Sequence, residues 1–136
     1  MSQETLEIAA RLTAAINTRV ISDELAEDLI APDYLIENVS TAVSDRTFHG
    51  AAGLREWMSD TFEVLDHEAR YDVEEVLADG KDFLVARVCI TGRGARSRAP
   101  VALRWFSANW FRDGKITRTT GYLRPGEALT AVGLVQ

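Results

Sequence analysis

The chain has 136 residues, 46% of them hydrophobic and 26% charged, a size at which one domain buries enough apolar surface to fold without staples. Its formal net charge of −6 argues against nucleic acid as a partner, because phosphate contacts need a clustered basic face. No apolar run reaches the roughly 18 residues of a membrane helix, and the start, Met1 to Glu7, lacks the basic and apolar regions of a signal peptide, so no membrane partner and a cytoplasmic location are expected.

In chain order, Leu6, Ala9, Leu12, Thr13 and Ile16 recur at helical spacing and predict a first helix. Ser22 can cap a second, short helix, with Asp23 and Glu24 in the first turn, where the helix dipole favours them. Leu25, Leu29 and Ile30 form its apolar side, and Pro32 is expected to end it. Residues 34–49 read as two short strands about a polar turn at Ser44-Asp45. His49-Gly50 then leads into the clearest helix. Leu54, Trp57, Met58, Thr61, Phe62 and Leu65 make one continuous face, opposite Glu56, Asp60 and Glu63.

Four strand-like runs follow, at about 69–78, 82–91, 100–112 and 115–123. Asp79-Gly80, a Gly-rich loop over 92–99 and Asp113-Gly114 connect them, which predicts antiparallel hairpins. The lone cysteine, Cys89, excludes an intrachain disulfide and a cysteine-based metal site. It falls in an apolar strand and is expected to be a small core residue. Pro125 and Glu127 suit the first turn of a last helix through Leu129 and Val132. Helices first and a meander afterwards favour an α+β layer fold. No linker or repeat divides the chain, so a single domain over 1–136 is expected.

The third long strand has two apolar faces. One carries Val101, Leu103, Trp105, Ser107, Asn109 and Phe111; the other carries Ala102, Arg104, Phe106, Ala108, Trp110 and Arg112. Both faces should therefore be covered. The simplest cover for the outer one is a second subunit, which predicts a homodimer through the sheet. The alternative is that residues 124–136 wrap over it.

Trp110-Phe111-Arg112-Asp113-Gly114-Lys115-Ile116, Tyr122, Glu127-Ala128-Leu129 and Gly133-Leu134 resemble the C-terminal half of SnoaL-like proteins of the nuclear transport factor 2-like superfamily. So does Phe48-His49-Gly50 entering Leu54-Arg55-Glu56-Trp57. The superfamily includes ketosteroid isomerase and limonene epoxide hydrolase. The resemblance implies a cone: a strongly curved antiparallel sheet wrapped around N-terminal helices, with a pocket for small apolar or amphipathic molecules, and often a dimer through the sheet.

The catalytic residues of these relatives do not carry over. Where the isomerases place a proton-abstracting carboxylate, this chain has Asn38, and an amide cannot act as that base. Glu37 beside it remains a candidate because the hairpin is longer. Their oxyanion-donating acid falls at Ser107, and their tyrosine donor falls near Thr13 or Ala14. The acid of the epoxide hydrolases matches Gly121, and no Asp or Glu occurs from Phe83 to Arg112.

The catalytic candidates are therefore Glu37 and His49. His49 precedes the main helix, whose dipole favours a neutral imidazole; its bland alternative is a turn residue that caps or packs. Glu75 would face inward unless a bulge at Glu74-Glu75 turns it out. Arg87 and Arg104 face either a pocket or the dimer seam. Arg93, Arg96 and Arg98 are expected at a solvated hairpin tip. His49 and His67, far apart and without a spacing motif, predict no metal site, and no cofactor is expected.

Asn38, Trp57, Trp105, Ser107, Asn109 and Tyr122 are the expected pocket residues. Ser107 and Asn109 are the most informative, since polar groups on an apolar face need partners. Three readings result. The first is a small-molecule-binding protein. The second is an isomerase, polyketide cyclase or epoxide-hydrolase-like enzyme using Glu37 or His49. The third is a dimeric interaction module without a ligand.

Overall fold

A computed structural model describes residues 3–37 and 47–134. The first helix, α1, spans Gln3–Thr18 and buries Thr5, Ile8, Leu12, Ala15 and Ile16. The buried stripe is thus rotated from the one expected: Leu6 and Ala9 pack at its edge. Helix α2 spans Asp23–Leu29, and Ser22 Oγ accepts a hydrogen bond from Leu25 N at 3.1 Å, as its sequence position predicts. The helix ends at Leu29 and not at Pro32. Ile30 is already extended and pairs with Ile116 in the sheet. Pro32 instead lies inside strand β1, Ile30–Glu37. Pairing with the neighbouring strand is irregular between Ile30 and Leu35, where a missing N–H costs nothing.

Strand β2 spans Thr47–His49 and runs directly into α3, Gly50–Phe62. Asn38 and the turn at Ser44-Asp45 lie outside the described residues. Gly50 takes a φ of +67°, a conformation open to glycine at little cost. At Gly53 a Cβ would come within 2.8 Å of the Phe48 carbonyl carbon, so α3 packs onto β2 through a position where only glycine fits.

The remaining strands are β3 (Arg70–Asp79), β4 (Phe83–Arg93), β5 (Pro100–Arg112) and β6 (Lys115–Tyr122). Both Asp-Gly sites are hairpin turns. Asp113 and Gly114 have φ of 54° and 78°, the paired left-handed conformations that suit a two-residue turn. The sheet order is β2-β1-β6-β5-β4-β3. All pairs are antiparallel but one: β1 and β6 run parallel. The expected antiparallel hairpins are all present, and the one parallel pair arises because β2, α3 and three further strands intervene before the chain returns beside β1. Register shifts in β3 and between β5 and β6 bend the sheet, as bulges do. The result is an α+β cone: a curved, unclosed six-stranded sheet around the N-terminal helices.

The core divides by sheet face. On the concave side Leu84, Ala86, Val88, Ile90, Trp105 and Phe111 meet α1 and α3 through Ile8, Leu12, Ile16, Leu54, Trp57 and Met58. On the outer side Val85 and Ala108 are covered by Ala128 and Leu129 of helix α4, Pro125–Ala131. Here the C-terminal segment covers part of the face for which a second subunit was expected. Phe106, Trp110, Tyr122 and Val132 pack around this smaller cluster. Cys89 is buried on the same outer side, next to Arg104, Glu74 and Asp72 in its electrostatic surroundings. Burial is the main cause that raises its thiol pKa, so it is an inert packing group.

Candidate functional site

The concave face does not close completely on its helices. Between them lies a cavity that leaves about 80 Å³ for the centres of water molecules, several times the minimum for one. Ala9, Leu12, Thr13 and Ile16 of α1 and Leu54 and Trp57 of α3 form one side. The sheet forms the other, with Tyr34 and Ile36 from β1, Tyr71 and Val73 from β3, and Leu84, Ala86 and Val88 from β4. Strand β5 adds Trp105, Ser107, Asn109 and Phe111, and β6 adds Ile116 and Thr119. Among the described residues no lining side chain is charged.

Trp57, Tyr71 and Trp105 form a cluster in one wall. Trp57 meets Tyr71 edge-on at 6.4 Å and Trp105 at 6.4 Å, and Tyr71 lies 6.1 Å from Trp105, distances at which aromatic pairs add to burial. The Trp57 indole N–H is buried without a hydrogen-bond partner among the described residues. Burial pushes the Tyr34 and Tyr71 phenols well above their ordinary value, so both stay protonated.

The sheet side also holds a hydrogen-bonded relay across four neighbouring strands, β1, β6, β5 and β4. Tyr34 Oη and Thr119 Oγ1 are 2.7 Å apart. Thr119 Oγ1 donates to Asn109 Oδ1 at 2.9 Å. Asn109 Nδ2 donates to the Leu84 carbonyl at 3.2 Å and to Ser107 Oγ at 3.1 Å. Ser107 and Asn109 reach the relay because alternate residues of β5 share one face. Asn109 therefore uses both of its N–H donors and its carbonyl within the wall.

Of the expected pocket residues, the structure brings Trp57, Trp105, Ser107 and Asn109 together around the cavity. Tyr122 is on the other face, packed with Phe106 and the α4 cluster. The cause is local: pairing skips from Phe111↔Ile116 to Trp110↔Arg118, which leaves Thr117 as an extra residue. Beyond it the alternation reverses, so Thr119 faces the cavity and Tyr122 faces away. Tyr34 and Thr119 were not singled out by the sequence. The Tyr34-Ile36 alternation was a readable signal for the first; nothing local marks the bulge that selects the second.

The two catalytic candidates lie away from the cavity. Ile36 lines it, so the next residue, Glu37, points to the opposite face, where its carboxylate pairs with Arg118 at 2.6 Å. Arg118 also stacks over the Trp110 ring at 4.8 Å. His49 is exposed at the start of α3 and its side chain caps nothing. A bulge does separate Val73 from Glu75, and Glu75 faces outward to Arg87 at 3.3 Å. Arg87 and Arg104 share Glu74 on that same outer face, at 3.4 and 3.1 Å. Among the described residues no three His, Cys, Asp or Glu side chains stand together as metal ligands.

The SnoaL-like domain family matches residues 9–119 of the chain, and the protein belongs to that family. Solved structures agree on the fold. A Catenulispora acidiphila protein with a ketosteroid isomerase-like fold, in complex with trimethylamine, is 18% identical with a TM-score of 0.67, over 94% of this chain and 93% of that one. A protein of Acidithiobacillus ferrooxidans, proposed to be a polyketide cyclase, is 17% identical with a TM-score of 0.67, over 89% and 88%. The epoxide hydrolase/cyclase-like enzyme SalBIII, connected with pyran ring formation in salinomycin, is 17% identical with a TM-score of 0.68, over 90% and 92%. No curated protein matches the chain. Among the described residues no helix is long and apolar enough to cross a membrane.

Proposed function

We propose that the protein binds a small apolar or amphipathic molecule in the cavity between α1, α3 and the concave sheet face. One observation carries this reading: the wall is apolar and aromatic but contains an ordered polar relay through Ser107 and Asn109. Mostly apolar pockets with a few placed polar groups are the usual form of a ligand site. Catalysis by Glu37 or His49 is not part of the proposal, because neither side chain lines the cavity. The similarity to cyclase and epoxide hydrolase-like proteins supports the fold of such a site and leaves its chemistry to these residues.

Apolar ring compounds such as indole are expected to raise Tm, increasingly so with concentration. The variant Ala86→Leu, which places bulk in the cavity at a position 1% exposed, should lose that shift. Equal shifts in both proteins would put the bound compound elsewhere.

We also propose a homodimer through the outer sheet face. Helix α4 leaves Phe106, Trp110 and Tyr122 only half-buried and Leu123 at 64% exposure beside them, and a partner face would remove that apolar surface from water. Light scattering at micromolar concentration should give about twice the 15.1 kDa chain mass; the mass of a monomer would refute it.

A further inference from the structure

The relay has a direction, and the direction says what the ligand must present. A carbonyl oxygen only accepts, so the Leu84 carbonyl requires the amide nitrogen of Asn109 on its side. Asn109 Oδ1 must then face Thr119, which has to donate to it. A hydroxyl has one proton, so Thr119 cannot also donate to Tyr34; Tyr34 donates to Thr119. At the other end, Ser107 Oγ accepts from Asn109 Nδ2. Among the described residues the Ser107 proton has no acceptor, although the residue is 4% exposed. The Trp57 N–H, on the same cavity, is a second buried donor without an acceptor among the described residues. The unspent groups thus include two donors, and among the described residues no lining side chain carries a charge.

We infer that the Ser107 hydroxyl is the specificity-determining donor of this pocket and that the ligand is an uncharged molecule presenting an oxygen acceptor to it. The inference rests on the ligand-pocket reading above. A buried donor left unpaired is costly, and an acceptor oxygen on the ligand would relieve that cost. A carboxylate or ammonium would enter without a counter-charge, which disfavours ionised ligands strongly.

The test compares 1-indanone, indane and indane-1-carboxylate, which share one skeleton, by tryptophan fluorescence titration. The wild type should bind 1-indanone about five- to tenfold more tightly than indane, the equivalent of one net hydrogen bond, and the carboxylate more weakly than either. Ser107→Ala should bind the ketone and the hydrocarbon alike. The infrared carbonyl stretch of bound 1-indanone should lie below its value in hydrocarbon solvent, a readout that does not depend on any variant folding. Equal wild-type binding of ketone and hydrocarbon, an unshifted stretch, or an unchanged preference in a folded Ser107→Ala would overturn the inference and leave the pocket reading standing. Binding of none of the three compounds would overturn the pocket reading as well.

Discussion

Replacing Trp105 with alanine is expected to lower the unfolding free energy by about 3–5 kcal/mol. The indole is 3% exposed and packs against both Trp57 and Tyr71. Its removal joins a void to an existing cavity, so the surrounding structure cannot collapse around the loss as it could in a solid core. Typical domains hold only about 5–15 kcal/mol in total, so the substitution would consume much of the stability of this one. The same change removes one wall of the pocket and should abolish the Tm shift produced by small ring compounds. Urea unfolding of Trp105→Ala, with and without indole, measures both effects. A loss below about 1 kcal/mol would mean that the three-ring cluster does not join α3 to the sheet in the way described.

Asn109→Ala should cost about 2–4 kcal/mol although it removes few apolar contacts. The side chain is the hub of the relay. Without it the Leu84 carbonyl loses a donor and Thr119 loses its acceptor. Removing one member of a satisfied buried network costs more than the net value of a hydrogen bond, because the remaining groups stay desolvated. Thr119→Val should also be costly, since Tyr34 Oη loses its acceptor and Asn109 Oδ1 its donor. A double-mutant cycle between Ser107→Ala and Thr119→Val should show coupling, since both residues bond to Asn109. Strict additivity would show that the relay is two independent pairs.

Much of the site was legible before the fold was known. The alternation of Trp105, Ser107, Asn109 and Phe111 placed four wall residues on one face, because strand periodicity is a property of the backbone. The spacing of Leu54, Trp57 and Met58 did the same for α3. The absence of acids from Phe83 to Arg112 removed carboxylate chemistry from β4 and β5 without any structure. What failed was parity across irregularities. Tyr122 was expected in the pocket wall, and one extra residue at Thr117 reverses the alternation that leads to it. Glu37 was kept as a base by its neighbourhood to Asn38, whereas pairing of β1 with β6 turns it outward to Arg118.

The sequence by itself determined the hairpins, the capped second helix and the two-faced β5, because Asp-Gly turns, a serine cap and apolar periodicity act through nearest neighbours. Only the tertiary structure decided what covers the second face. Helix α4 folds onto Val85 and Ala108, and its seven residues carry no local signal of where they will dock. Only the tertiary structure joined Tyr34 and Thr119, 85 residues apart, into one relay with Asn109. The reason is physical: a bulge and a parallel strand pairing are set by long-range packing, and each reassigns side chains to a face that local pattern cannot reach.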